Sequence, residues 1–500
     1  MTDINMRASV LAIKPETTEG TPVVPAAATE FIAIQDDLAL VPNFDQLDNA
    51  EMKSSIGKSK TIIGAENPTA TLSHYLRASA VEGQAPGYGD LLQSVFGTET
   101  IRSTERDTVA GSTTSVLNVD SGEGSEFVRG NMVLIKDATN GYAIRPIHSI
   151  ATDALTLGFN LDNAPASGVN LGKDCVYIPA STGHQALSIW NYLGNGGGTK
   201  MLSGAKVTEF SYDITAGDLL NATYSLEALK FYFNPIEITS SNKYLDFTST
   251  GTFAATLTEG MYSDPHDLAT ALQTAMDGLT ADTITVAYSD STGKFTITSD
   301  AGVFSLLWNT GANTANSVGT TIGFAVAADD TGSTSYAADN ALSFAAAYTP
   351  SYDSSDPLAA KGHTVFVGDA ADNVCFQPSK LSVTVSNERS VKPDICDDSG
   401  RGGSNFVGRE VTITVSAYID QYDVDMFKRF RSGSDTRFLH AFGPKSGGNW
   451  VAGKCGALYL ASGVLSAWDV VNSDGIASLE AEIKGYVDDS GNGEIYLGFV

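Results

Sequence analysis

Two runs of alternating apolar and polar residues lie close together in the last third of the chain. Residues 380–388 read KLSVTVSNE, and residues 409–420 read REVTITVSAYID. Successive side chains of a β-strand point to opposite faces, so each run predicts a strand with one apolar and one polar face. A polar loop separates the two runs, which predicts a long hairpin. This pattern favours a mainly β fold.

Similar patterns and shifts in composition divide the 500 residues into five segments. Segment 1–101 has two alternating runs around a polar stretch, which predicts a hairpin arm over 42–67, followed by a short helix within 83–97. Segment 102–180 has short β-rich runs between turn residues and predicts a small β module. Segments 181–236 and 351–500 return to longer strands, the latter with a second arm over 386–409.

Segment 237–350 differs from the others in charge and in helix content. It holds twelve carboxylates and two lysines. Pro265 stands just inside a helical pattern that runs through Leu268, Leu272 and Met276 toward Gly278. A strand–turn–strand pattern follows the helix. We therefore predict an acidic α+β domain inserted into the β fold.

The charge balance excludes several classes of protein. Lys and Arg number 30 against 58 Asp and Glu, which gives a formal net charge of −28. Binding nucleic acid requires clustered Lys and Arg, so this excess of acidic residues argues against a DNA-binding protein. No apolar run approaches the roughly 20 residues of a membrane-spanning helix. The N-terminus does not resemble a secretory signal, and the four cysteines are widely spaced, so we expect synthesis in a reducing cytoplasm.

Motifs that would support catalysis are incomplete. Gly57-Lys58-Ser59 resembles the end of a phosphate-binding loop, but Met52 stands where that loop needs glycine. The six histidines are scattered singly, no CxxC occurs, and no Gly-x-Ser-x-Gly is present. The carboxylate pairs lie in turn-like surroundings without a calcium-loop pattern. We therefore expect no enzyme activity, no cofactor and no metal site.

The order of several motifs resembles a known family. Each motif is a weak signal alone, and the resemblance depends on their order and spacing along the chain. Together they resemble the tail tube protein, or major tail protein, of long-tailed bacteriophages of the siphophage type. The motifs are ETTEGTPVVPAA (Glu16 to Ala27), GQAPGYGDLLQSVFG (Gly83 to Gly97), HQALSIWNYLGN (184–195), Gly204 to Lys230, KLSVTVSNE (380–388) and residues 409–433.

This resemblance implies a β-sandwich or barrel with a short flanking helix. It implies six copies in a ring and rings stacked helically into a hollow tube, assembled with tape-measure, tail terminator and distal tail proteins. Genomic DNA would pass through the tube to the host cell without specific binding, and the chain would reside in the virion tail. Segments 102–180 and 237–350 depart from a minimal member of the family and are interpreted as insertions.

The two arms are polar and carry basic residues in an acidic chain. As extensions that reach a neighbouring copy they would find carboxylates there, whereas the alternative is that they are ordinary solvated loops. The candidate residues for inter-subunit contacts are Lys53, Lys58, Lys60, Arg389, Arg401 and Arg409.

An acidic lumen would repel DNA phosphates and let the duplex slide. We expect a subset of the strand carboxylates to line such a channel. A folded domain cannot share the bore with DNA, so segment 237–350 is expected on the outer wall, where it would obstruct a contractile sheath. We therefore expect a non-contractile tail. The candidate lumen acids are Glu209, Asp213, Glu227, Glu410, Asp420, Glu480 and Glu482.

Two alternatives remain open at this point. One is another tail component of similar fold, such as a terminator or distal hub protein. The other is a receptor-binding or carbohydrate-binding tail protein, which the β modules and the outward domain would also suit. Copy number in the virion separates the first from a tube subunit, and oligomeric state separates the second.

Overall fold

The computed structural model of the chain describes residues 4–51, 53–54, 57–372, 376–419, 424–473, 475–488 and 493–500. The chain divides into two compact units. We call Ile13–Leu187, Gly204–Leu229 and Pro350–Val500 the sandwich unit. The acidic unit comprises Met1–Ala12, Ser188–Ser203 and Lys230–Thr349.

The described residues form three α-helices and many short strands, which confirms the mainly β class. The helices are α1 (Gly89–Phe96), α2 (Pro265–Asp277) and α3 (Val424–Ser432). The strands up to residue 180 are β1 (Val10–Pro15), β2 (Phe31–Ile32), β3 (Ala39–Val41), β4 (Phe44–Leu47), β5 (Ile62–Glu66), β6 (Thr69–Tyr75), β7 (Gly97–Arg102), β8 (Arg106–Asp107), β9 (Val116–Asn118), β10 (Met132–Asp137), β11 (Gly141–Ala151), β12 (Ala154–Leu157), β13 (Asn170–Leu171) and β14 (Asp174–Pro179).

The remaining strands follow the same chain order. Those between residues 181 and 350 are β15 (Leu187–Tyr192), β16 (Thr199–Thr215), β17 (Asn221–Glu227), β18 (Lys230–Phe233), β19 (Ile236–Ile238), β20 (Tyr244–Thr248), β21 (Thr252–Thr256), β22 (Gly260–Tyr262), β23 (Ile284–Ser289), β24 (Lys294–Ser299), β25 (Phe304–Leu306), β26 (Asp330–Ser333) and β27 (Ser335–Ala337). Those after residue 350 are β28 (Thr364–Gly368), β29 (Pro378–Pro393), β30 (Arg401–Tyr418), β31 (Arg437–Phe442), β32 (Lys445–Ser446), β33 (Asn449–Trp450), β34 (Gly456–Leu460), β35 (Gly463–Ser473), β36 (Ile476–Gly485) and β37 (Ile495–Phe499).

The sandwich unit is built on two large antiparallel sheets. In the first, hereafter the long sheet, the strands run in the order β3-β6-β17-β16-β29-β30-β36-β35. The second has the order β28-β31-β34-β37-β14-β7. Tyr212 of the long sheet lies against His440 and Phe442 of the second sheet, with ring centroids 5.9 and 6.0 Å away. The apolar core of the unit therefore separates the two sheets.

The short helix α1 lies in this core. Leu91, Leu92 and Val95 are fully buried, and the ring of Phe96 contacts Phe210 of the long sheet. Gly97 ends the helix with a φ of 99°, a left-handed conformation that glycine adopts without strain. The helix predicted within 83–97 is confirmed.

A third sheet, of order β8-β13-β10-β11-β12-β9, is drawn from residues 106–171. Its central strand β10 is buried on both faces, because Met132 and Leu134 pack with the second sheet while Val133 and Ile135 enter a separate cluster. A strand covered on both sides needs no polar face, which explains the continuous apolar run at 132–135.

The acidic unit has its own core around α2. Asp264 caps the helix by accepting hydrogen bonds from the backbone N–H of His266 and Asp267, and Leu268 and Leu272 are fully buried beneath it. A four-stranded sheet, β21-β20-β25-β26, and a three-stranded sheet, β23-β24-β27, complete the core. The helix predicted to begin at Pro265 is confirmed.

The acidic unit takes more of the chain than the segment expected there. Residues 4–12, 188–203 and 230–236 were expected in the core segments, yet they belong to this unit. Residues 230–233 belong to this unit because they form β18, which pairs with Lys200 to Ser203 of β16. The boundaries of the five segments themselves stay predictions.

Candidate functional site

The long sheet has one face made of core and one face made of polar side chains. A single row across six strands shows the core face: His74, Ala222, Tyr212, Val383, Ile413 and Ile483 are cross-strand partners in that order. All six are at most 2% exposed. Since side chains alternate along each strand, the next row must point the other way.

The neighbouring row on the opposite face is hydrophilic throughout. Its cross-strand partners, in the same strand order, are Ser73, Thr223, Ser211, Thr384, Thr412 and Lys484. The row after that also carries short polar side chains and acids. We call this surface the polar face; its members on the five strands from β17 to β36 are Asn221, Thr223, Ser225, Glu227, Glu209, Ser211, Asp213, Thr215, Lys380, Ser382, Thr384, Ser386, Glu410, Thr412, Thr414, Ser416, Ser478, Glu480, Glu482 and Lys484.

Hydroxyl groups hold several of the acids on this face. Ser382 Oγ donates a hydrogen bond of 2.5 Å to Asp213, and Ser386 Oγ donates one of 3.4 Å to Glu209. From β35, the strand at the end of the sheet, Ser466 Oγ donates a hydrogen bond of 2.6 Å to Glu482. Neutral donors satisfy a carboxylate without cancelling its charge, so these acids keep the face negative.

The positive charges of the polar face are few. Lys484 Nζ lies 2.7 Å from Glu410 Oε1, and this hydrogen bond lowers the pKa of Glu410 and raises that of Lys484. Lys380 is exposed on the neighbouring strand β29. Asp469 of β35 pairs with Glu480 and adds a further acid beside it. Acids therefore outnumber lysines on this surface.

The structure brings most of the candidate lumen acids to one surface. Glu209, Asp213, Glu410 and Glu480 are exposed there, and Glu482 is half-buried. Glu227 shares the face at the end of β17 but is half-buried too. Asp420 lies outside the described residues. The Ser and Thr rows between these acids, and Asp469, were not predicted from the sequence. The alternation of Ser and Thr with Leu and Val at 380–388 was the available signal for the hydroxyl rows.

The first arm forms a narrow two-stranded ribbon. Strands β4 and β5 pair with each other, with Leu47 opposite Ile62 and Gln46 opposite Ile63. Lys58 and Lys60 are exposed in the connection between them. Lys53 is exposed as well, and its Nζ is 3.5 Å from Glu51 of the same segment. These lysines are thus available at the surface.

The second arm is a continuation of the long sheet, and two of its arginines are not available at the surface. The Arg389 side chain is 1% exposed and binds Glu19 at 3.1 Å, Ser404 Oγ at 2.8 Å and the backbone oxygen of Gly204 at 2.8 Å. Burial lowers its pKa. Burial would also raise the pKa of Glu19, but hydrogen bonds from Lys206 and Ser404 hold it below the usual value.

Arg409 has partners within its own chain as well. Its Nη2 donates to the backbone oxygen of Ala180 at 2.8 Å, its Nε donates to Asn387 Oδ1 at 3.1 Å, and its Nη1 lies 3.7 Å from Glu494. We therefore correct the expectation for Arg389 and Arg409: both arginines stabilise the fold, because buried guanidinium groups need charged or carbonyl partners nearby. Arg401 lies 4.0 Å from Asp45 of the ribbon.

Two cavities of the sandwich unit contain histidine. One, of about 220 Å³, is lined in part by His74, Arg77 and Tyr88, and the other, of about 180 Å³, by His363 and His440. The ring nitrogens of His74 meet the backbone oxygen of Tyr75 at 3.1 Å and the Tyr224 hydroxyl at 3.3 Å. Burial lowers the pKa of His74 to about 4. This histidine is a neutral core group.

The described residues offer neither a ready metal site nor a membrane-spanning helix. Among the residues that the structure describes, no group of three or more His, Cys, Asp or Glu side chains is placed to hold a metal ion. Within the same ranges, no helix combines the length and the apolar character needed to span a bilayer.

The chain is similar to solved structures over only part of its length. No protein-family model matches the chain, and no curated protein matches it. Among solved structures, a chain from the virion of a native gene transfer agent particle is similar over 26% of this chain and 93% of its own length, at 13% identity and a TM-score of 0.18. A TM-score of this size establishes neither a common fold nor a function.

Proposed function

We propose that this chain is a structural subunit of a phage tail tube, in which the polar face of the long sheet lines the channel for DNA. The observation that carries the proposal is the make-up of that face. It is wide, hydroxyl-rich and acidic, and one of its two lysines is bound to Glu410. A surface of this kind is hydrated and offers few cations to a phosphate backbone.

Electrostatics explains why such a face suits a passage. Neighbouring strands lie about 4.8 Å apart, so Asp213 and Glu482, three strands from each other along one row, are within roughly 15 Å. The Debye length at physiological salt is about 8 Å. The repulsion from successive acids therefore overlaps, and a duplex passing over the face meets a nearly continuous negative surface.

The ends of the long sheet supply a way to close it. Strand β35 stands at one end of the strand order and β3 at the other. The edge of a sheet exposes backbone donors and acceptors that readily pair with another chain. Pairing between the edges of successive copies would join their sheets and, with a suitable rotation, close a ring that has no free edge.

The remaining parts of the proposal follow from the family resemblance. Six copies would form each ring, and rings would stack into the tube with tape-measure, terminator and distal tail proteins as partners. Segment 237–350 would face outward, since a folded domain inside the bore would block the duplex. This arrangement favours a non-contractile tail and a location in the virion. No catalytic role or cofactor forms part of the proposal.

Electron microscopy of the purified protein tests the assembly directly. We expect six-fold rings or tubes in negative stain. On a denaturing gel of purified virions, the protein should be one of the most abundant bands. A protein that remains monomeric or forms only trimers would contradict the tube and favour a receptor-binding role. Rings that never stack, present in few copies, would favour a terminator or hub protein.

A DNA-binding assay tests the polar face. Assembled wild-type protein should not retain duplex DNA at moderate salt. The variant D213K/E480K should retain it and release it as salt rises, because both positions are exposed on that face. The matched control is D290K/D339K, whose two acids lie in the acidic unit. Equal DNA retention by the two variants would contradict the assignment of the face.

A further inference from the structure

The β4–β5 ribbon exposes large apolar side chains that its own chain leaves uncovered. The exposed fractions are 44% for Phe44, 53% for Leu47, 55% for Ile62 and 64% for Ile63. Leu47 and Ile62 are cross-strand partners on one face, and Ile63 lies opposite Gln46 on the other. Leu47 and Ile62 therefore form an exposed apolar pair on one face, and exposed apolar patches mark sites of protein contact.

Few contacts hold the ribbon at its base. The backbone N–H of Asn67 donates to the oxygen of Asn43 at 2.7 Å, and the N–H of Glu66 donates to the oxygen of Ser399 at 3.0 Å. Arg401 and Asp45 are 4.0 Å apart. An isolated two-stranded ribbon is marginally stable in water, so a partner that covers its apolar side chains would also order it.

The turn of the β29–β30 hairpin has the complementary chemistry. Ile395 is fully exposed at this turn, and Asp394, Asp397 and Asp398 surround it without a basic residue in 394–398. The connection of the ribbon, residues 48–61, by contrast carries three lysines against two acids, Asp48 and Glu51, and is net positive. An apolar and basic element therefore matches an apolar and acidic one.

We propose that the β4–β5 ribbon of one copy docks on the Ile395 turn of a second copy, with Leu47 and Ile62 covering Ile395 and the lysines facing its aspartates. This inference rests on the proposed self-assembly, and it changes the nature of the contact. The apolar side chains supply the affinity, and the lysines set the orientation, because exposed ion pairs contribute little. Phosphate would not cover the aliphatic side chains of Leu47 and Ile62, which favours a protein partner over DNA.

Substitution in the full-length protein tests the apolar contact. L47S/I62T/I63T, which retains β-compatible residues in β5, should raise the concentration needed for assembly roughly tenfold or more. I395S should have a comparable effect, and combining it with the ribbon variant should add little, because both remove the same contact. K53Q/K58Q/K60Q should slow assembly and reduce its salt dependence while shifting the final extent less.

The matched control is V303T. Val303 is 66% exposed in the acidic unit, close to the 64% of Ile63, and it lies in neither proposed element. It should assemble as the wild type does. Thermal unfolding of each variant by circular dichroism confirms that the fold is retained.

Cross-linking identifies the partner surface. Cys396 is an exposed free thiol beside Ile395. In I63C, a short bismaleimide should join residue 63 of one copy to Cys396 of the next and give dimers and longer ladders on a denaturing gel. C396S should abolish the ladder.

The outcomes separate this inference from the proposed function. Tubes or rings that form normally from the ribbon variant, or an I63C ladder that survives C396S, would overturn the docking while leaving the tube intact. If the wild-type protein forms only trimers and the ribbon variant loses them, the result would support the docking and contradict the tube. A wild-type protein that stays monomeric at every concentration, without cross-links, would contradict both.

Discussion

The two hairpins of the sandwich unit differ in what lies beside them. Strands β29 and β30 have β16 on one side and β36 on the other, and their apolar side chains enter the core between two sheets. Strands β4 and β5 pair only with each other among the described residues, and their largest side chains are exposed. The same local unit is thus part of the core in one place and an uncovered surface in the other, and neighbours decide which.

Mild acid should affect the core beneath the long hairpin most. His74 stands in the same row as Val383 and Ile413, and burial lowers its pKa to about 4. Burial also lowers the pKa of His148 and His363 to about 4. An unfolded chain binds protons to histidine below about pH 6.5, so the unfolded state gains more protons between pH 6.5 and 4 and stability falls as pH decreases through that window.

Urea unfolding at pH 7 and pH 5 measures this effect. For His74 alone the free energy of unfolding should fall by about 2 kcal/mol, since each unit of pKa difference corresponds to about 1.4 kcal/mol. H74Q should show a weaker pH dependence than the wild type. The ribbon contains no histidine, so its exchange behaviour should follow the general effect of pH on amide exchange alone. Equal stability at the two pH values would contradict the burial of neutral histidines.

Removing an apolar side chain should have opposite consequences in the two hairpins. Ile413 is fully buried, so Ile413→Ala leaves a cavity and should lower the free energy of unfolding by about 2–5 kcal/mol. Ile63 is 64% exposed, so Ile63→Ala should change it by less than about 0.5 kcal/mol. Chemical denaturation of both variants, under conditions that keep the protein monomeric, measures the contrast. Similar losses would mean that the ribbon has a cover within its own chain.

Removing a basic side chain gives a smaller contrast of the same kind. Arg389→Ala loses the contacts to Glu19, Ser404 and Gly204 and should cost roughly 2–4 kcal/mol of folding free energy. Lys58→Ala, in the connection of the ribbon, should leave monomer stability nearly unchanged because this lysine is exposed. Thermal unfolding of the Arg389→Ala and Lys58→Ala proteins measures both changes in stability. An unaffected Arg389→Ala protein would restore that arginine as a candidate for contacts between copies.

The smallest effect concerns the polar face of the long hairpin. Glu410→Gln removes the partner of Lys484, and since both groups are exposed we expect a slight loss of stability at low salt that disappears near 0.5 M salt, where the Debye length is only about 4 Å. A loss that persists at high salt would indicate that this face is covered. The comparison with Ile413→Ala then separates the two faces of a single strand.

The sequence predicted the elements whose signal is local. Alternation at 380–388 and 409–418 indicated both strands of the long hairpin, and Pro265 marked the start of α2. It did not predict the partners of Arg389 and Arg409, because Glu19 and Glu494 are 370 and 85 positions away along the chain, and charge alone does not reveal which side chains meet. The lysines of the ribbon are evident in the sequence, whereas only the structure shows that Ile62 and Ile63 are more than half exposed.

The candidate surface was predictable in part for the same reason. The acids were recognised one at a time, and the register that aligns Asp213, Ser382, Thr414 and Glu482 in one row depends on four strands from distant parts of the chain. A strand pattern gives the two faces of one strand. Only pairing shows which rows of several strands form one surface.

The unbroken two-residue period of β29 and β30 over residues 380–388 and 408–416 limits how this protein can change length during evolution. One residue inserted within these stretches, unless a β-bulge absorbs it, would shift the rest by one position and turn Val383 or Ile413 toward water while driving threonine into the core. Insertions and deletions should therefore accumulate at the turns, such as 394–400 and 216–220, where a change in length leaves the phase of the strands intact. Homologous chains aligned to this one would carry their gaps there.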